Sequence, residues 1–192
     1  MQSVSKSTYI ILAAIIGLIV LSSFFFFRLD LTTDKRYSIS PQTKTLMKSV
    51  TAPMEVTVYL TGDLNSGFQR LKKSTVEMFD ELNIYSKKDL NIRFVNPSEA
   101  ESNEEREKKF AKLEQRGMIA TSVYEKDKEG KAIQKIIYPW VEITYKGKTI
   151  PVNLLKNIGG HSGEENLNIS IENLEFELTD AIRRLVSTEI EK

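Results

Sequence analysis

Residues 9–27 carry no charge and hardly a polar side chain, and the run closes on four consecutive phenylalanines before Arg28. A helix rises about 1.5 Å per residue, so about 20 such residues match a hydrocarbon core about 30 Å thick. No side of this stretch is polar enough to face water, as one face of a soluble helix must. The segment therefore predicts a transmembrane helix. A cleaved signal peptide has a shorter apolar region followed by a small-residue cleavage site. This run is longer and ends Phe-Phe-Phe-Phe-Arg, which predicts an uncleaved signal anchor. Lys6 and the amino terminus flank one side; Arg28, Lys35, Arg36 and Lys44 flank the other. Counted alone these charges favour the carboxy-terminal side inside, but the rule weakens for a large translocated domain.

Roughly 150 residues follow the anchor and its flank, enough for one domain with its own core. Lysine and arginine number 27 against 26 aspartate and glutamate, so the chain lacks the basic excess by which a nucleic-acid binder neutralises phosphates. With 0 cysteines there is no disulfide, zinc ribbon, CxxC redox centre or thiol nucleophile. His161 is the single histidine, which excludes HExxH chemistry and multi-histidine metal sites. The glycines assemble into neither GxGxxG nor GxxxxGK[ST], so no nucleotide or other cofactor site is expected.

Past the anchor, Ser40-Pro41 predicts the capped start of a short helix through Met47. The alternating, β-branched stretch 54–60 predicts a strand. Residues 61–67 read as a turn, and 68–86 as a helix with Phe68, Leu71, Thr75, Met78, Leu82 and Tyr85 on one face. A second strand is expected at 91–95. Ser98 with Glu101 suggests a capping box opening a charged outer helix that ends near Arg116, touching the core through Phe110 and Leu113. Strands are expected at 118–124, at 134–145 (one, or two broken at Pro139) and at 149–153, the last two joined by a tight turn at Lys146-Gly147. Tyr138 and Trp140 are assigned to the core. The small residues of 158–163 suggest a mobile connection, and a final helix is expected over about 168–187.

The order β-α-β-α-β-β-β-α predicts an α/β fold. A right-handed parallel β-α-β start with an antiparallel completion is the layout of a thioredoxin-like three-layer sandwich with a mixed sheet and one strand to spare. A ferredoxin-like sheet or another α/β arrangement is the alternative. A thioredoxin-like redox enzyme would carry its thiols after the first strand. Here that turn is Thr61-Gly62-Asp63-Leu64-Asn65-Ser66-Gly67, a structural turn. The run Gly160, His161, Ser162, Gly163, Glu164, Glu165 is the one place where histidine, serine and carboxylates meet. A catalytic triad also needs a nucleophile on a rigid turn and an oxyanion hole, which neighbouring His161 and Ser162 on a loop do not supply. A partner-contacting loop is the functional reading of these residues. No enzyme activity is expected.

Two runs resemble a known family. Arg36-Tyr37-Ser38-Ile39-Ser40-Pro41-Gln42-Thr43 is similar to the juxtamembrane segment of GldG-type auxiliary proteins of ABC transporters, associated with gliding motility in Bacteroidota. Residues 160–176 resemble the same family's G-x-S-G-E-x-x-L-N-x-S-I-E-x-L-E-[YF] run. The resemblance implies a non-catalytic accessory subunit, single-pass in the bacterial inner membrane, working with separate permease and ATPase subunits. It implies a cytoplasmic tail at 1–8, an anchor at 9–27, a juxtamembrane segment at 28–50 and a soluble thioredoxin-like domain at 51–160. That domain would lie in the periplasm, against the naive charge count. Residues 161–192 would be a loop and helix continuing into a second domain, because the family's chains run longer. A periplasmic solute-binding component that captures ligand directly is the alternative.

Overall fold

Alternation of apolar and polar side chains, punctuated by turn residues, builds a mixed α/β domain in the computed structural model, which describes residues 39–126 and 129–187. The apolar segment 9–27 lies outside the described residues, and among the described ones no helix is long and apolar enough to cross a membrane. Helix α1 (Pro41–Lys48) starts as expected: Pro41 sits in its first turn, and the Ser40 hydroxyl accepts the Thr43 N–H at 3.2 Å. Strand β1 (Met54–Val58) pairs in parallel with β2 (Leu90–Phe94) across helix α2 (Ser66–Tyr85). Strands β5 (Trp140–Tyr145) and β6 (Lys148–Asn153) complete a four-stranded sheet in the order β2-β1-β5-β6, both added antiparallel. The predicted two-residue turn joins β5 to β6, with positive φ at both Lys146 and Gly147.

Pro139 divides the long apolar stretch into strands that belong to different sheets. Before it, β4 (Ala132–Ile137) pairs, among the described residues, with β3 (Thr121–Lys126) alone as a separate two-stranded sheet; after it, β5 joins the main sheet. Proline lacks the N–H a ladder needs, so the chain changes sheets there. The predicted strand at 118–124 thus shifts to start at Thr121. Met118 belongs instead to the end of helix α3 (Asn103–Gln115). There the N–H groups of Gly117 and Met118 bond back to the Glu114 and Leu113 carbonyls at 2.8 and 2.9 Å, a Schellman ending. Gly117 takes the required positive φ of 81°, and Met118 is buried against Leu113. The α3 cap also shifts: Ser102, not Ser98, accepts the N–H three residues on, from Glu105 at 3.1 Å. Ser98 donates its own N–H to the Asn96 side chain in the preceding turn.

The expected last helix is two, α4 (Gly163–Glu172) and α5 (Leu174–Ser187), meeting at Asn173. Their apolar stripe, Leu167, Leu174, Leu178, Ala181, Ile182, Leu185 and Val186, lies in the same core as Met54, Val56, Val58, Val141 and Ile143 of the sheet. Ile39, Met47 and Val50 complete that core from α1 and its flanks. The Glu175 carboxylate, in the first turn of α5, accepts from the Ser40 N–H at 2.8 Å and the Thr43 hydroxyl at 2.6 Å.

Side chains alternate across a strand, so Tyr59, Glu142 and Trp140 point to the opposite face of the sheet. That face is covered by a smaller cluster of Tyr59, Leu113, Met118 and Tyr138, with Phe110 and Trp140 packed beside it. Beyond it Glu55, Asn91, Arg93 and Thr149 stay exposed.

Candidate functional site

The six residues Gly160 to Glu165 are all exposed, and they straddle a helix start. Gly160, His161 and Ser162 precede α4, while Gly163, Glu164 and Glu165 are its first turn, where the sequence suggested loop. Ser162 is the N-cap of a reciprocal capping box. Its hydroxyl accepts the Glu165 N–H at 3.2 Å, and its own N–H donates to Glu165 Oε2 at 2.7 Å. These bonds from Ser162, the backbone N–H first, hold the Glu165 carboxyl below the usual carboxylate range. Two acidic side chains in the first turn also suit the positive end of the helix dipole.

The approach to α4 is tied down rather than a loose connection. Buried Asn166 accepts the Ile158 N–H at 2.9 Å, and buried Ser170 accepts the Lys156 N–H at 2.8 Å. Lys156 also pairs with Glu177. A count of small residues in the loop could not show these bonds, because the partners come from the helix that follows it. Glu164 pairs with Arg70 of α2. Leu167 presses on Gly67, where an added Cβ would lie 2.5 Å from Leu167 Cδ1; only glycine allows this approach of α4 to the start of α2.

The start of α2 is the second element of this end of the molecule. The Asn65 side chain caps it by accepting the Phe68 N–H at 3.0 Å. Lys135, from β4, reaches Asp63 and Glu125 at 3.0 Å each, and these carboxylates raise its pKa. An open groove of about 440 Å³ runs between Gly62 and Leu64 on one side and Gln69, Lys72, Lys73 and Val76 of α2 on the other. Lys72 donates to the Thr61 hydroxyl at 3.2 Å and stands 4.9 Å from the Phe94 ring centroid.

Sequence reasoning passed over one buried polar cluster. Glu142, 4% exposed, accepts from the Tyr59 hydroxyl at 2.6 Å and pairs with Arg116 at the end of α3. Burial, and then the bond to Glu142, push the Tyr59 phenol above its ordinary pKa. The available signal was a carboxylate flanked by Val141 and Ile143 within an apolar strand. Both carboxylate oxygens are occupied, so the cluster ties α3 to the sheet. Among the described residues no group of three or more histidine, cysteine, aspartate or glutamate side chains is placed to hold a metal ion.

The family profile described as Domain of unknown function (DUF7088) matches residues 33–144, more than half the chain, and the chain belongs to that family. The match takes in α1 through most of β5 and stops short of β6, α4 and α5. Comparison with curated proteins and with solved structures gives no match.

Proposed function

We propose that this DUF7088-family chain is a non-catalytic accessory subunit of an ABC transporter complex of the GldG type. In this reading residues 9–27 anchor it in the bacterial inner membrane, and it acts through a periplasmic protein-binding domain in a complex with separate permease and ATPase subunits. One observation carries the contact role: Gly160 to Glu165 are exposed while their backbone is held by a capping box and by Asn166, which donates to the His161 carbonyl. A pre-ordered, exposed segment loses little entropy when a partner docks. Ser162 Oγ serves as a helix cap, which suits a contact surface better than a nucleophile.

The strand order β2-β1-β5-β6, parallel in its first pair and antiparallel thereafter, supports a thioredoxin-like reading of the domain, with the β3–β4 hairpin as an addition. Where such a fold carries redox thiols, this chain carries Asp63 and Asn65, and it contains no cysteine. A binding module is the reading that agrees with both facts. Recovery of the tagged chain from membranes in mild detergent tests it. Co-purification of a permease and an ATPase is expected, and their loss on Gly160→Asp/Glu164→Lys would assign the contact to this segment. Recovery of neither subunit would defeat the proposal. The groove beside Lys72 and Lys73 favours a second reading, direct capture of a solute. It predicts a thermal shift with some member of a solute library, abolished by Lys72→Ala.

A further inference from the structure

The two edges of the main sheet differ. On β6, the inward-bonded residues follow from the two-residue turn, which makes Tyr145 and Lys148 a bonded pair; Thr149, Pro151 and Asn153 then face outward. Pro151 therefore removes a donor from that edge, a common guard against strand addition. On β2, Met54 donates to the Asp89 carbonyl at 3.1 Å and Val95 donates to the Val58 carbonyl at 3.0 Å. The parallel ladder thus uses the odd-numbered residues of β2 and turns the backbone groups of Leu90, Ile92 and Phe94 outward. The Asn83 side chain takes the Leu90 N–H at 3.0 Å, so among the described residues the open edge runs from the Leu90 carbonyl to Phe94. No proline or bulge guards it. Phe94 is 47% exposed at its end, Val95 38% just beyond it, and Ile84 55% on the neighbouring helix.

We propose that the β2 edge pairs antiparallel with β2 of a second copy of this chain, about a two-fold axis at Ile92. The sequence of β2 is self-complementary in this register. Ile92 faces Ile92 of the second copy, and Leu90 faces Phe94, all on the apolar side of the sheet. The donor at Phe94 meets the free Leu90 carbonyl, and Leu90's own donor stays with Asn83. On the other side Asn91 faces Arg93, so no like charges stand directly opposite; on each copy Asn91 donates to Glu55 at 2.9 Å and Arg93 Nε to the Thr57 hydroxyl at 2.7 Å, both within its own sheet. Cross-strand pairs of this kind stabilise a sheet, and the apolar Ile92–Ile92 and Leu90–Phe94 pairs on one face set the register. The occupant is therefore a second copy rather than an unrelated strand.

The chain has no cysteine, so a cross-link can be read without background. Asn91 and Arg93 of the second copy would form a non-bonded pair about 4.5 Å apart at Cα, within disulfide range. Full-length Asn91→Cys and Arg93→Cys chains are mixed in mild detergent and oxidised. The mixture is expected to give a disulfide dimer well above that of either variant alone, because like positions lie about 7–8 Å apart on the diagonal. Ile92→Pro removes an outward donor while leaving the β1–β2 ladder intact, and added to both chains it should abolish the dimer. Phe94→Lys serves the same purpose should the proline variant fail to fold. No excess dimer in the mixture, with both thiols open to maleimide, overturns the proposal, as does a dimer that survives Phe94→Lys and Ile92→Pro in folded protein.

Discussion

Replacing Tyr59 with phenylalanine removes one hydroxyl and nothing else, at a buried position. Tyr59 is 7% exposed and Glu142 4%, and the bond between them is 2.6 Å long. A hydrogen bond to a charged group is worth about 1.5–3 kcal/mol, and a buried acceptor left without its donor loses most of that. Arg116 remains on the other carboxylate oxygen, but its side chain is 48% exposed, so solvent screens that pair. Tyr59→Phe should therefore cost about 2 kcal/mol. For a domain of roughly 150 residues that corresponds to a melting temperature lower by about 4–8 °C. Glu142→Gln keeps the volume and weakens both contacts, for about 1–1.5 kcal/mol. The double variant should fall short of the sum by about 1 kcal/mol, because the two side chains share one bond. Urea unfolding of the full chain in mild detergent, with an unchanged m-value, reads these differences. Amide exchange in α3, whose one buried residue is Leu113, should rise in Glu142→Gln before that in α2. A Tyr59→Phe variant within about 0.5 kcal/mol of the parent would refute the reasoning, since the buried carboxylate would then not need its donor.

The phenols supply a pH dependence with a definite sign. Burial raises Tyr59 and Tyr138, so the stability they contribute is complete below the unfolded tyrosine range near 10 and is lost as pH rises through their folded values; Tyr59→Phe should blunt that alkaline loss in a pH-jump unfolding series. Glu165 runs the other way, its lowered value contributing stability above the ordinary carboxylate range that is lost as pH falls through its folded value; amide exchange at Ser162 and Glu165 should quicken there first. Ser162→Ala removes the α4 cap at a cost of about 1 kcal/mol by thermal melting, with the sheet unaffected. Gly67→Ala drives a methyl into Leu167 and should cost about 1–3 kcal/mol, much of it recovered by a second change, Leu167→Val. A thiol placed at Lys131, beside Gly130 whose φ of 83° disfavours substitution, should react with an impermeant reagent outside intact spheroplasts; protection there would place the domain in the cytoplasm.

What the sequence disclosed was what local chemistry decides. Ser40-Pro41, the β-branched run at Val56, the α2 stripe and the Lys146-Gly147 turn each involve neighbours a few residues apart, and each was legible. The misreadings share a different cause. Ser98-x-x-Glu101 and Ser102-x-x-Glu105 offer the same cap pattern; Ser102 is the one used, and Ser98 is drawn into the preceding turn by Asn96. Pro139 marks a break whose meaning, a change of sheet, depends on β1 and β3 competing for the two halves. The helix split at Asn173 is hidden because the apolar stripe continues across it. In the site, the Ser162 cap was written in the sequence as Ser-x-x-Glu, but Asn166 and Ser170 hold the loop through bonds that no composition count reveals.

Glu175 has a mechanical consequence. Tension applied at Ile39 passes directly to Ser40. There a single carboxylate oxygen grips the Ser40 N–H and the Thr43 hydroxyl, and it belongs to α5, whose buried side chains sit in the main core. Load is thus diverted from the β1 ladder into a helix braced on several sides. Ile39, Met47 and Val50, buried in the same core, hold α1 beside this clamp, so its detachment needs both the polar tie and these apolar contacts to give way. Glu175→Gln would lower the force at which α1 detaches and leave the force that opens the sheet unchanged. Under the proposed anchoring by residues 9–27, the domain would in this way extend by one short helix under strain before its fold is put at risk.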